Sequence, residues 1–438
     1  MKLKIRNLAK VGNAEIDING LTVIAGSNNT GKSTVGKTIF SIFNSLNDIE
    51  RRVQLERYNT IRSACQNSIR NALSHRTALG ESSRLSLSFF VRVSRNIATQ
   101  IVDIDSKENV VSFENIKAIV TAACVKHKIP LAPDEFDELI KEIYSKTYDI
   151  LQLAEETISK LLVTRYFVRV FNEQINPLHK EEKAIVELEL KKRRIAIEFF
   201  SNKCSLLDTG ISILHKAVYL DNPFAVDQLD DAEFYGGSKS HLVELLSSYY
   251  DDENDHTSSN QLIEFALAEE KMGAIFQKLS SVVKGRILVK DGNYYLEDED
   301  IEKTVSVKNL SSGLKAFVLL KMLVESGAIC DNDVLILDEP EIHLHPEWQV
   351  VYAELIVLLQ KYLNLSVIVT THSPYFLDAI DLFSRKHGIE NKTNYYLSKI
   401  VENQAEFREV SDCIDEIYKE MASPMDVLET LRYELTEE

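Results

Sequence analysis

The sequence is poor in glycine, proline and tryptophan: its 438 residues include 15 glycines, 8 prolines and 1 tryptophan. Its 5 cysteines stand apart with no CxxC pair, which argues against a disulfide or zinc framework and favours reduced thiols. Every apolar run is well below the roughly 18 residues needed to span a bilayer. The start, "MKLKIRNLAK", alternates like a strand and lacks the apolar region of a signal peptide. We therefore expect a cytoplasmic protein with no membrane partner.

Positive charge is also in short supply, because 67 acidic residues outnumber 50 basic ones and leave a net charge of −17. Such a chain is poorly suited to coating nucleic acid non-specifically. One segment, 51–95, has the opposite balance, with nine arginines against two glutamates. This segment is either a solvated helical face or a surface for DNA or an acidic partner, and no recognised DNA-binding motif decides between them.

The scarce glycines are concentrated near the start, where five of the 15 fall within the first 36 residues. There the stretch "GSNNTGKST" follows the apolar run "LTVIA" and precedes a helical pattern. This strand–loop–helix context and the spacing G-x-x-x-x-G-K-[ST] predict a phosphate-binding loop, against the alternative of a glycine turn with an incidental Gly-Lys-Ser. Lys32 would reach the β- and γ-phosphates of ATP and Ser33 would bind Mg²⁺. The predicted ATP-binding residues of the loop are Gly26, Ser27, Asn28, Asn29, Thr30, Gly31, Lys32, Ser33 and Thr34.

A second part of the site is predicted in "DVLILDEPEIHLHPEWQ", where an apolar strand ends in two carboxylates. Asp338 is placed to hold Mg²⁺, and Glu339 to orient and polarise the attacking water. The alternative is a helix N-terminus that carries acidic residues near its positive dipole end. The phosphate loop upstream favours the catalytic interpretation, in which Asp338 is a metal ligand and Glu339 is catalytic.

Two further elements complete the pattern. The run "LSVIVTTHSPYFL" ends in His372, which we expect to be catalytic through the γ-phosphate and the attacking water; a buried structural histidine is the alternative. In "NLSSGLKAFVLLKML", Ser311, Ser312 and Gly313 would offer ATP-binding donors at a helix N-terminus, or Ser311 would simply cap that helix. The order of the four elements along the chain is more specific than any one of them.

Together these elements resemble the ABC-type ATPases, in the branch with SMC, RecF and OLD-like proteins. Gly26–Ser33 is similar to Walker A, Leu310–Lys315 to the signature, Val334–Glu339 to Walker B and His372 to the switch histidine. The resemblance implies ATP and Mg²⁺ as cofactors and a Q-loop glutamine as a metal ligand, for which Gln174 is our candidate. It also implies a homodimer through the ATP sites, or a larger oligomer of such dimers.

The fold that the resemblance implies is α/β: an ABC-type ATPase head of two lobes, with a mixed β-sheet core, flanking helices and a helical insertion. The signature departs from the usual LSGGQ, since Ser312 replaces a glycine and Leu314 a glutamine. We expect these segments: lobe I with the phosphate loop at 1–50 and 164–231, the helical insertion at 51–163, a helical segment with an acidic loop at 232–283, lobe II at 284–400, and a C-terminal tail at 401–438.

The stretches "DEPEIHLHPEWQ", "THSPYFL", "VYLDNPFAVDQL" and "NLSSGLKAF" resemble bacterial anti-phage ATPases, above all the ATPase subunit of the Septu system. This implies an ATPase that assembles with and regulates a separate nuclease, with an HNH nuclease favoured over a Toprim one. We expect no nuclease activity in this chain, because the residues after His372 lack a Glu followed by Asp-x-Asp on a strand. The alternative is a DNA-repair or recombination ATPase of the RecF/SMC type, acting on DNA without a nuclease partner.

Overall fold

The protein is described here by a computed structural model. The described residues are 1–77, 86–108, 111–129, 131–177, 181–191, 193–210, 212–229, 241–243, 245–246, 272–290, 293–298 and 303–437. The acidic stretch 251–260 and most of the helical segment expected at 232–283 lie outside these residues.

Two β-sheets account for the strands of the described chain. The larger has 11 strands in the order β6-β5-β4-β1-β2-β14-β13-β3-β12-β11-β7, and the smaller has the order β10-β9-β8. The strands are β1 (Lys2–Leu8), β2 (Val11–Asp17), β3 (Leu21–Gly26), β4 (Ala184–Leu190), β5 (Arg193–Phe200), β6 (Lys203–Thr209), β7 (Ala217–Leu220), β8 (Arg286–Lys290), β9 (Asn293–Asp298), β10 (Lys303–Ser306), β11 (Val334–Asp338), β12 (Ser366–Thr371), β13 (Thr393–Val401) and β14 (Gln404–Glu409).

Helices flank the larger sheet and also form a separate group. They are α1 (Lys32–Leu46), α2 (Ile49–Thr77), α3 (Leu87–Glu108), α4 (Phe113–His127), α5 (Pro133–Gln152), α6 (Glu155–Val170), α7 (Ser312–Glu325), α8 (Pro346–Leu363), α9 (Pro374–Lys386) and α10 (Asp415–Glu437). Within the described part of the chain, every helix is too short or too polar to cross a membrane.

The strands that carry the predicted site are neighbours and run parallel: β3 pairs with β12, β12 with β11, and β11 with β7. Each is a nearly continuous apolar run, as expected for parallel strands covered on both faces. In β11, Leu335 and Leu337 face one core with α7 and α8, whereas Ile336 faces a second core with α1. The carboxyl ends of these strands therefore meet at one sheet edge, between two layers of helix.

The expected α/β class with a mixed sheet is confirmed by this architecture, in which parallel and antiparallel pairs share one sheet. The consecutive strands β4 and β5 form a hairpin, since they pair antiparallel with Leu190 opposite Arg193. Residues 401–438, expected as a tail, instead contribute β14, which lies between β2 and β13. Pairing on both sides buries Ala405 completely, so the strand β14 belongs to the core.

The chain divides into two compact units, one of Met1–Asn47 with Val163–Glu438 and one of Asp48–Leu162. The second unit contains α2 to α5 and has its own apolar core, which includes Ile61, Ile97 and Ile140. One arginine of the basic segment makes a contact within this unit, because the Arg57 guanidinium donates from Nη2 to Leu153 O at 2.7 Å.

Candidate functional site

The phosphate loop joins β3 to α1, and its two framework glycines are required by the packing. Gly26 and Gly31 have φ of 149° and 77°, in the region that favours glycine. A Cβ on Gly26 would lie 2.4 Å from Ser398 O, and one on Gly31 would lie 2.9 Å from the Cβ of Ala405. β13 and β14 therefore pack so closely against the loop that neither glycine position has room for a Cβ. Gly31 caps α1 without a side-chain hydrogen bond, so that cap leaves the first amides of the helix available for an anion.

Lys32 is the buried cation of this loop, with a side chain only 3 % exposed. Its Nζ donates to Gly26 O at 3.0 Å and to Ser27 O at 2.9 Å, and it lies 3.5 Å from Glu339 Oε1. A buried ammonium is tolerated only when acceptors replace water. Thr30 fixes the loop from the other side, because its hydroxyl hydrogen-bonds Ser27 O and the Ser398 hydroxyl, both within 2.8 Å. Ser27, Asn28 and Asn29 are exposed.

Asp338, at the end of β11, receives hydrogen bonds from three hydroxyl groups on three different elements. Ser33 and Thr370 donate to its Oδ1 at 3.0 and 2.6 Å, and Tyr219 donates to its Oδ2 at 2.6 Å. Burial, followed by the charge of Asp338, raises the pKa of Tyr219, which keeps the phenol protonated as a donor. Sequence reasoning did not identify Tyr219 or Thr370, because each is an ordinary residue of a buried strand until the strands pair.

The residues present fit a nucleotide phosphate with a divalent cation. Hydroxyl and carboxylate oxygens are the ligands that Mg²⁺ prefers, and Ser33 and Asp338 bring one of each within hydrogen-bond distance. The cation Lys32 and the amides at the start of α1 provide the complementary charge for phosphate oxygens.

Glu339 directly follows Asp338 and has a left-handed backbone, with φ of 50°. Its N–H donates to Thr370 O at 3.1 Å and to Thr370 Oγ1 at 3.0 Å, which holds a conformation that a non-glycine residue adopts only at a cost. The His372 Nδ1 lies 3.6 Å from Glu339 Oε1. The Glu339 and His372 side chains are 24 % and 40 % exposed, so both are accessible to water and substrate.

Glu341 lies beside these residues, although it is not among the site residues predicted from the sequence. Its side chain is 2 % exposed, and its Oε1 accepts from the Thr371 hydroxyl at 2.5 Å and from His372 N–H at 3.0 Å. Oε2 is buried with no hydrogen-bond partner in the described structure. Burial raises the pKa of Glu341. The carboxylate therefore anchors the turn from which His372 projects.

The signature segment begins α7, and its contacts are local. Ser311 is exposed and caps the helix, with its Oγ accepting from Leu314 N at 3.3 Å, as the capping alternative expected. Ser312 is partly exposed, whereas Gly313 is buried, and a Cβ there would lie 3.0 Å from the ring of Trp348. Among the described contacts, none joins Ser311, Ser312 or Gly313 to Lys32 or to the carboxylates of the site.

Gln174 lies in the exposed turn after α6, beside the end of β1, where Ile175 O accepts from Ala9 N at 2.7 Å. The strands β2, β14 and β13 separate β1 from β3, and each step across a sheet adds about 4.8 Å. Among the described contacts, none joins Gln174 to Asp338. Asp221, which follows β7, lies nearer: burial and the Asp338 charge both raise the pKa of its carboxyl.

Known proteins were compared with this chain. Over 185 residues it is 25% identical to the Retron Vc95 probable ATPase of Vibrio cholerae serotype O1 biovar El Tor, a match that covers 39% of this chain and 33% of that protein. Over 229 residues it is 25% identical to the Septu protein PtuA of Bacillus thuringiensis, covering 47% of this chain and 54% of that protein. The matches thus span between a third and about half of these relatives.

Among solved structures, the SMC head bound to the C-winged helix domain of ScpA superposes with a TM-score of 0.43 at 11% identity, over 93% of this chain and 96% of that chain. The SMC head domain from Thermotoga maritima superposes with a TM-score of 0.38 at 11% identity, over 93% and 98% of the two chains.

One sequence family, described as AAA ATPase domain, matches residues 1–377. The matched range includes the phosphate loop, both carboxylates after β11 and His372, and it covers most of the chain. This chain therefore belongs to the AAA ATPase domain family.

Proposed function

We propose that the protein binds ATP with Mg²⁺ and hydrolyses it, as an ABC-type ATPase of the SMC/RecF branch. The convergence of Lys32, Ser33, Asp338, Glu339 and His372, from three separate stretches of the chain, is the observation that carries this proposal. Phosphoryl transfer to water needs little covalent chemistry from a protein. It needs positioned charge and an oriented water, which are the roles that these side chains suit.

The roles follow from position. Lys32 would neutralise the phosphate oxygens, and Ser33 with Asp338 would hold a Mg²⁺ ion, which would supply further positive charge to them. Glu339 lies beside Lys32 and accepts a hydrogen bond from the attacking water, which it polarises as a general base. His372, anchored through Glu341, faces the same space. Gln174 remains a predicted metal ligand that has no described contact with the site, and Asp221 is the nearer carboxylate.

We further propose that Ser311, Ser312 and Gly313 bind the γ-phosphate of the ATP held by a second copy of the chain. The exposure of Ser311, and the local nature of its contacts, support a contact made across an interface. A two-fold dimer would then pair each phosphate loop with the signature of the other subunit at two equivalent sites. Such a site is incomplete in one chain.

The biological role that we propose is control of a separate nuclease, with an HNH nuclease favoured, in bacterial anti-phage defence. The sequence similarities to a Septu protein and to a retron ATPase support this direction. ATP-driven closure of the dimer would be the signal passed to the nuclease.

Purified protein tests the proposed ATPase activity without a partner. We expect Mg²⁺-dependent phosphate release from ATP, with Lys32→Ala protein prepared in parallel as the control for contaminating ATPases. The same wild-type preparation should leave DNA and RNA uncut. Equal phosphate release by the two preparations would refute the ATPase.

The partner is tested by co-purification with the products of neighbouring genes, with and without ATP. We expect a nuclease to be retained. An active ATPase that retains no nuclease, and is stimulated by DNA, would favour the DNA-repair alternative instead.

A further inference from the structure

A cavity of about 830 Å³ lies at the end of the larger sheet opposite the phosphate loop. Its lining includes Gly20, just before β3, as well as Val334 at the start of β11 and Phe43 near the end of α1. These are the opposite ends of the elements that carry Lys32 and Asp338. Four strand steps of about 3.3 Å separate Val334 from Asp338, so the cavity is distinct from the nucleotide site.

The inner wall of this cavity is apolar. Phe43, Ile213, Val334 and Leu365 contribute to it and are each no more than 5% exposed. Leu214, in contrast, stands at its edge with 79% of its surface exposed. Ligand pockets of roughly 300–1,000 Å³ with mainly apolar walls are typical sites for small organic molecules.

The rim of the cavity is cationic. Lys191, Arg193 and Lys392 line it and are exposed, and none of its described lining residues is an aspartate or a glutamate. This is unexpected in a chain with 67 acidic and 50 basic residues. Arg194, which follows Arg193 in β5, pairs with Glu187, whereas the described structure gives the three rim cations no carboxylate partner.

A carboxylate adjacent in sequence to two lining residues, Asp333, is buried, and its oxygens have other partners. It accepts from Cys330 N at 2.9 Å and from Lys216 N at 3.3 Å, and it lies 3.4 Å from His215 Nδ1. These contacts direct its oxygens to backbone N–H groups and to His215, and no described contact joins them to the three rim cations. An apolar wall beneath a rim of cations that have no carboxylate partner among the described residues is complementary to a molecule with an apolar body and an acidic group.

We propose that this cavity binds a small organic anion with an aromatic or aliphatic body, whose acidic group is held by Lys191, Arg193 and Lys392. The wall formed by Phe43, Ile213, Val334 and Leu365 takes the apolar body. The site is separate from the ATP site and is independent of the proposed ATPase activity.

The probe is 8-anilinonaphthalene-1-sulfonate, which joins an aromatic body to one sulfonate and fluoresces when it leaves water. We expect saturable binding of one dye per chain. Arg193→Glu and Lys191→Glu should each weaken it about tenfold or more, the effect of losing one charge-assisted contact. The matched control is Lys203→Glu, an exposed lysine at the start of β6, which alters net charge equally but lies outside the cavity.

Three further measurements locate the dye. The exposed Leu214→Ser should weaken binding severalfold without a folding defect. The uncharged analogue N-phenyl-1-naphthylamine should bind less tightly than the sulfonate. A saturating magnesium complex of a non-hydrolysable ATP analogue should leave the dye bound, because the nucleotide site is at the other sheet edge.

Several outcomes would overturn the proposal. If Lys203→Glu weakened dye binding as much as Lys191→Glu does, the effect would come from the net charge of the protein and not from a contact in the cavity. Unchanged dye affinity in both rim variants, or displacement of the dye by the nucleotide, would place the dye outside this cavity. Equal affinity for the uncharged analogue would show that the cavity does not recognise the acidic group.

Discussion

The two halves of the candidate ATP site differ in how far one chain completes them. At the phosphate loop, Lys32 lies 3.5 Å from Glu339 and Ser33 donates to Asp338 across 305 positions of sequence. At the signature, the Ser311 hydroxyl accepts from Leu314 N, three positions away. The first half is a set of long-range contacts made by folding, whereas the second is a helix start that remains exposed.

From this difference we expect nucleotide binding to depend on the phosphate-loop half, and closure of the dimer to depend on the signature half. Buried partners that converge on one carboxylate are pre-organised, so we expect the phosphate-loop half to bind nucleotide without a second chain if the proposed function is right. The exposed start of α7 has hydrogen-bond donors, but no described contact joins them to the phosphate-loop half of the same chain. Changes in the first half should therefore affect every copy of the chain by itself, and changes in the second should act only through an assembled dimer.

The largest effect is expected from Lys32→Ala, which removes the buried cation of the first half. We expect ATP affinity to fall about 100-fold or more, because the charge-assisted contacts of the Lys32 ammonium to phosphate are lost. Calorimetry with magnesium and ATP measures this, and Lys203→Ala, on the exposed start of β6, is the control. Tight binding by the Lys32 variant would break the assignment of the loop.

Glu339→Gln separates binding from chemistry within the same half. The variant should keep ATP bound through Lys32 and the loop amides while its turnover falls about 10²- to 10⁴-fold, the range for a lost general base. Single-turnover phosphate release measures this, with the exposed Glu347→Gln as the control. Unchanged turnover would move the base to another carboxylate.

Ser311→Arg tests the second half, because a bulky cation should obstruct closure while leaving the phosphate loop intact. ATP should still bind, and hydrolysis should fall. If Ser311 were only a helix cap, the cost would be about 1 kcal/mol of stability with normal turnover.

Mixing Ser311→Arg with Lys32→Ala subunits sharpens this test. Each heterodimer has one composite site with an intact phosphate loop and an intact signature, so mixed samples should recover some hydrolysis. Mixtures that stay inactive, at a ratio and concentration where heterodimers are shown to form, would contradict a site shared between subunits.

The smallest effect is expected from the buried Glu341, whose pKa is raised above its ordinary value of 4.5 by burial. A raised carboxyl pKa means that the folded state holds the proton more tightly than the unfolded state. Its contribution is therefore most favourable at low pH and is lost as the pH rises from about 4.5 through the folded value. The free energy of unfolding of the wild type, minus that of Glu341→Gln, should decline over that range.

Urea titrations of both proteins at several pH values measure this difference. A difference that stays constant with pH, or that grows as the pH rises, would show that the Glu341 carboxyl is not destabilised by burial. Because the amide oxygen of the substituted glutamine can still accept from the Thr371 hydroxyl and from His372 N–H, the comparison isolates the charge from the hydrogen bonds.

The local elements of the candidate site could be predicted from the sequence. The apolar run of β3, the glycines of the loop and the helix that follows are set by neighbours in the chain, through backbone freedom and alternation of burial. The same holds for β11 and its two carboxylates, and for Ser311, where both the capping interaction and the exposure arise locally.

The contacts between side chains from distant parts of the chain could not be predicted in this way, because they depend on how the strands are arranged in the sheet. Strand order brings Tyr219 and Thr370 to Asp338 and packs β14 against Gly31, and it leaves three strands between β3 and β1, beside which Gln174 lies. It also buried Glu341 beneath His372 and assembled the cationic rim from the β4–β5 turn and Lys392. Such contacts depend on the order and direction of strands, which the periodicity of any single segment does not encode.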